Sequence, residues 1–135
     1  MKQVYIGTWL LGWRNVDLYG REGDGAEFYF APDKKSDARI KVGMNQTLVQ
    51  SLRDLFHEAG EFLMTDRNHA HQLFGQCAND TTNRLFVFRH HEWGEIAAHE
   101  ADFITDCLDP FKKAWRTFNR KPVKPAPKPK RKRTK

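Results

Sequence analysis

A chain of 135 residues and 15.8 kDa has room for one domain. At 39% hydrophobic and 30% charged residues it is too apolar to be disordered throughout, and no apolar run approaches the roughly 18 residues that cross a bilayer. The net charge of +6 is a property of one end: eight of the 23 basic residues and none of the 17 acids lie in residues 121–135, which leaves residues 1–120 at −2.

The segment Val4-Tyr5-Ile6-Gly7-Thr8-Trp9 is dense in β-branched and aromatic residues and predicts a strand. Val16-Asp17-Leu18-Tyr19 alternates and predicts a second. The glycines of Gly20-Arg21-Glu22-Gly23-Asp24-Gly25 offer positive-φ positions for a tight hairpin connection. Lacking Gly-Lys-Ser/Thr, that segment is not a phosphate loop. Ala26-Glu27-Phe28-Tyr29-Phe30 follows as a strand that stops at Pro32-Asp33, with a turn over residues 33–37. Residues 39–44 alternate again, with Ile40, Val42 and Met44 on one face. Together these predict an antiparallel meander of about four strands.

The period then changes. Leu48, Leu52, Leu55, Ala59 and Phe62, widened by Val49, Phe56 and Leu63, predict an amphipathic helix over residues 46–64 with Asn45 as its cap. Residues 65–84 show no period, and mark either a functional loop or an element that the pattern does not reveal. Leu85-Phe86-Val87-Phe88 predicts a buried strand. From His91 the spacing of Trp93, Ile96, Ala97, Glu100, Phe103, Ile104, Cys107 and Leu108 is helical. Asp109-Pro110 should end or kink that helix. Pro110 can open a last short helix with Phe111, Ala114, Trp115 and Phe118 on one face. The expected fold is α+β over residues 1–119: an N-terminal antiparallel sheet, two main helices with an intervening strand, and a short C-terminal helix. Leu52, Leu55, Phe62 and Phe103 should be buried in its core. Residues 120–135, rich in Lys, Arg and Pro, should form a disordered basic tail.

All six histidines fall between residues 57 and 99. In His57-Glu58-Ala59-Gly60-Glu61, His57 and Glu61 are one turn apart on a helical face about 180–220° around from Leu48, away from the apolar stripe. That arrangement serves a two-ligand metal half-site or an ordinary solvated face. His90 and His91 stand between strand and helix, where His91 reads as a cap or hydrogen-bond partner. His69, His71 and His99 read as polar-surface residues. Cys77 and Cys107 are the only two cysteines, too few for a disulfide scaffold or a four-cysteine zinc module, and neither has a Cys-x-x-Cys partner. Cys107 reads as a core residue, and free thiols point to a reducing compartment. Trp9, Trp13, Trp93 and Trp115 read mostly as core or sheet residues; exposure of Trp9 with Trp13 would mark a partner surface.

The order of a small sheet, a helix bearing His57-Glu58-Ala59-Gly60-Glu61, and a second helix opening at His90-His91-Glu92-Trp93-Gly94-Glu95 resembles the zincin-like metallopeptidases, including short versions encoded by phages. The resemblance covers roughly residues 1–115 and departs from the family's His-Glu-x-x-His at Glu61. It implies His57 as first ligand, Glu61 in place of the second histidine, His90 or Glu95 as third ligand, and Glu58 as the general base acting on metal-bound water. A carboxylate in place of an imidazole makes a harder site for zinc or a similar divalent ion. The expectation is a degenerate site that binds metal without peptidase activity, in a protein of the cytoplasm, that of the host if viral. The other reading is a non-enzymatic accessory protein that meets a protein partner and nucleic acid but no membrane. There Lys128, Lys130, Arg131, Lys132 and Arg133 would track phosphates without base readout. The first six residues, Met1 to Ile6, lack the apolar core of a secretory signal, so none is expected.

Overall fold

The computed structural model describes residues 2–30, 38–66, 70–72, 84–86, 89–121 and 125–127. Its main sheet is built from β1 (Gln3–Leu11), β2 (Arg14–Arg21), β3 (Ala26–Phe30) and β4 (Ala38–Gly43), in the order β1-β2-β4-β3. The four strands and the α+β class are those the sequence predicts, but the sheet is mixed. β1–β2 and β3–β4 are antiparallel, whereas β2–β4 is parallel.

The glycine-bearing segment explains the difference. It does not close a hairpin; it carries the chain past the end of β4, which inserts between β2 and β3. Gly23 and Gly25 take φ of +90° and +70° to make the crossing. The Gly43 amide donates to the Gly25 carbonyl at 2.7 Å, Met44 N to Arg21 O at 2.9 Å, and Gly23 N to Asn45 Oδ1 at 2.7 Å. A β-carbon at Gly43 would stand 2.6 Å from Asp24 Cα, so the crossing needs glycine there. The tight hairpin joins β1 to β2 instead, through Gly12-Trp13 with Gly12 at φ +64°.

α1 (Leu48–Asp66) is capped by Thr47, whose Oγ1 accepts from Gln50 N at 3.2 Å. Asn45 is not the cap, because its side chain is committed to Gly23. Leu55, Ala59, Phe62 and Leu63 are buried, and Leu52 is only partly so. Val49 and Phe56 stay 60% and 46% exposed, because the sheet and the second helix flank only a narrower stripe than the sequence suggests.

α2 (His90–Phe118) is one helix of 29 residues that runs through Pro110, so there is no separate C-terminal helix. An interior proline costs about 3 kcal/mol through its missing N–H and steric clash. Cys107 and Phe111, on either side of it, are fully buried, and packing across the break offsets that cost. Arg89 N donates to Glu92 Oε2 at 3.0 Å at the first turn, so the cap does not involve His90 or His91, both exposed. At the other end Trp115 Nε1 donates to Gln46 O at 3.1 Å and Asn119 Nδ2 to Met44 O at 2.9 Å, tying α2 to the end of β4.

β5 (Ala70–Gln72), within the stretch that showed no period, pairs antiparallel with β6 (Arg84–Phe86), which covers part of the predicted strand over residues 85–88. Residues 87–88, most of the unpatterned stretch including His69 and Cys77, and the tail cations from Lys128 onward lie outside the described residues. Both long helices pack on one face of the main sheet, where Leu11, Val16, Leu18, Ile40, Val42 and Met44 meet Leu55, Phe62, Phe103 and Cys107. Among the described residues no helix is long and apolar enough to cross a membrane.

Candidate metal centre

The polar side of α1 brings His57, Glu58 and Glu61 together. His57 Nε2 lies 3.2 Å from Glu61 Oε2, with the imidazole 71% and the carboxylate 19% exposed. One ligand-type atom from each of the three residues falls within 4.8 Å of the other two. The i and i+4 positions set the first contact, as in any helix. Glu58, which the resemblance assigns as a base, is therefore itself within ligating reach.

Glu58 is partly buried, within electrostatic range of Glu27 on β3. Burial, followed by the like charges of Glu61, Glu27 and Asp54, pushes its carboxyl up to about 7. It thus exchanges its proton near neutrality, where an acid–base group is useful and where a cation can displace the proton.

The second helix adds no member to this group, and the residue it brings nearest is not one of the two suggested by the sequence. Among the described residues, His90 and Glu95 belong to no group of metal-ligating side chains with His57, and both are exposed. Five positions separate Glu95 from Glu100, about 140° around the helix, so the stripe of Trp93, Ile96, Glu100 and Phe103 that meets α1 leaves Glu95 behind. Glu100 is the α2 carboxylate that comes nearest; it lines the recess beside His57 and Glu61 but does not belong to the group of three either. Its Oε2 lies 3.1 Å from where a β-carbon on Gly60 would be, so the missing side chain at Gly60 admits it. Phe56, His57, Gly60, Glu61, Met64, Trp93 and Glu100 enclose a surface recess of about 230 Å³. Burial raises the Glu100 carboxyl, and the facing His57 acts in the opposite direction. A signal for Glu100 was in the sequence: it is a carboxylate placed on the apolar stripe of its helix.

The remaining candidates lie elsewhere. His99 packs edge-on against Trp13, with ring centroids 5.8 Å apart. Trp13 is 79% exposed at the hairpin tip, whereas Trp9 is partly buried against the core, so they form no exposed pair. Cys107 is fully buried, with its thiol pushed up to about 12 by that burial, and is an inert core residue. Compared with protein-family models, with curated proteins and with solved structures, the chain finds no match.

Proposed function

We propose that this domain binds a divalent cation through His57, Glu58 and Glu61 on α1, as a zincin-like scaffold without peptidase activity. The observation that supports the reading is the convergence of three ligand-type atoms, from an imidazole and two carboxylates, within 4.8 Å of one another. One nitrogen and two or more oxygens make a harder donor set than the thiolate and multi-histidine sites that hold structural zinc. Glu58 would have to give up its proton to serve as a ligand, so binding should release a proton and strengthen as pH rises through about 7. The non-catalytic reading is supported by Glu61 standing where the family has its second histidine, and by Glu58, the expected base, being itself within ligating reach. His57→Ala and Glu61→Ala should each abolish stoichiometric binding of zinc or manganese by calorimetry. Retention of binding in both variants would exclude this site, and metal-dependent peptide hydrolysis by the unaltered protein would refute the non-catalytic reading. The charge of the tail supports a second, separate activity, contact with nucleic acid through residues 121–135.

A further inference from the structure

The sheet face turned away from the helices carries all three tyrosines of the chain. Leu18, Ile40 and Val42 enter the core, so the alternating neighbours Tyr19, Arg39 and Lys41 point outward. Glu27 and Tyr29, opposite Lys41 and Arg39, share that face. Tyr5 reaches it through a β-bulge. The register jumps from Tyr5↔Tyr19 to Gly7↔Leu18, leaving Ile6 as the extra residue. Without the bulge Tyr5 would point into the core; with it, Tyr5 stands beside Tyr19, ring centroids 5.5 Å apart.

The polar groups of this face are arranged around the rings. Lys41 Nζ lies 6.0 Å from the centre of the Tyr19 ring and 5.4 Å from that of Tyr29. The acids are already engaged. Asp17, 9% exposed, accepts from Thr8 Oγ1 and lies 4.0 Å from Arg39 Nε, and Glu27 pairs with Arg21 at 2.7 Å. Tyr5 and Tyr29 are 55% and 36% exposed. Ring faces around an ammonium, on an open pleated surface, suit a ligand with its own π-faces joined by anions. Single-stranded nucleic acid has that chemistry, whereas a duplex keeps its base faces stacked internally. The tail adds the complementary charge. Lys2 Nζ sits 4.4 Å over the Phe118 ring and Asn119 is bonded to Met44, so the chain leaves α2 at the end of the sheet nearest Tyr5. Eight cations follow within residues 121–135.

We infer that this outer face is a platform for single-stranded nucleic acid, with bases stacking on Tyr5, Tyr19 and Tyr29 and Lys41 set between the rings. The inference is independent of the metal reading. It also differs from binding by the tail alone, which would follow phosphates on single and double strands alike.

The test is fluorescence anisotropy of the full chain with a labelled oligothymidylate of about 15 nucleotides, at about 50 and 200 mM salt. Tyr5→Ala and Tyr29→Ala should each weaken binding roughly five- to hundredfold at both salts, the range of base–aromatic stacking. Tyr5→Phe keeps the ring face and should bind like the unaltered protein. Trp13→Ala, at the hairpin tip on the helix side, should also change nothing. A duplex of equal length should bind more weakly than the single strand at the higher salt. Unchanged affinity in the tyrosine alanine variants, a loss in Tyr5→Phe equal to that in Tyr5→Ala, equal affinity for duplex and single strand, or no binding at either salt would each overturn the platform. Because Tyr5 is exposed, Tyr5→Ala remains informative even if Tyr29→Ala unfolds.

Discussion

Glu58 couples the candidate site to the stability of the fold. Its carboxyl titrates near 7 in the folded chain, through burial first and neighbouring acids second, against an ordinary value of 4.5. The folded state therefore holds a proton that the unfolded chain has already released. Its contribution to stability is present below about pH 4.5, is lost as pH rises to 7, and stays lost above. Glu58→Gln mimics the protonated carboxyl at every pH. The melting temperature of Glu58→Gln should match that of the unaltered protein near pH 4.5 and exceed it increasingly up to pH 8, both measured without added metal. A parallel offset at all pH values would mean that Glu58 is not the group responsible. At this scale the sequence disclosed the His57–Glu61 spacing, because one turn of helix fixes it. The choice of Glu100 over Glu95 depended on which side of α2 faces α1, a matter of packing.

At the scale of elements, α1 sets Leu55, Ala59, Phe62 and Leu63 into the core, where single substitutions can probe its packing. Leu55 is fully buried, and Leu55→Ala should cost about 2–5 kcal/mol in chemical denaturation. Leu52 is only partly buried, so Leu52→Ala should cost clearly less, although equal places on a stripe would suggest equal costs. Gly43→Ala tests the chain crossing. Its β-carbon would press on Asp24, and the backbone shift should cost about 1–3 kcal/mol; no loss of stability would mean that the crossing relaxes freely. Strand patterning identified β3, whose bounds are those expected, and β4, where Ile40 and Val42, with Met44 just beyond, are fully buried. Strand order was not legible. The four residues between β2 and β3 fit a hairpin by length and glycine content, and only the later arrival of β4 between those strands decides otherwise. Pro110 reads locally as a boundary for the same reason, because the burial of Cys107 and Phe111 that carries the helix past it is tertiary.

At the scale of the whole molecule, charge and core are segregated. The buried residues run from Leu11 to Phe111, whereas the basic cluster begins at Lys121. Removal of residues 121–135 should leave the melting temperature nearly unchanged, because no core residue is lost. The same deletion should weaken binding to a single strand at low salt and flatten its salt dependence, by roughly 0.7 in log–log slope for each phosphate contact removed. The affinity that remains should still fall on Tyr5→Ala. A truncated chain with the salt slope of the full one would place the phosphate contacts on the fold. The sequence by itself determined what short-range physics controls: the periods that make four strands and two helices, the centre of each apolar stripe though not its width, the turn between His57 and Glu61, and the separation of a basic end from a near-neutral domain. Only the tertiary structure decided the parallel β2–β4 pairing, the bulge that turns Tyr5 outward to join Tyr19, and the approach of Glu100 to Gly60. Each of these depends on which surfaces meet across the chain, and a local pattern cannot specify a partner that is distant in sequence.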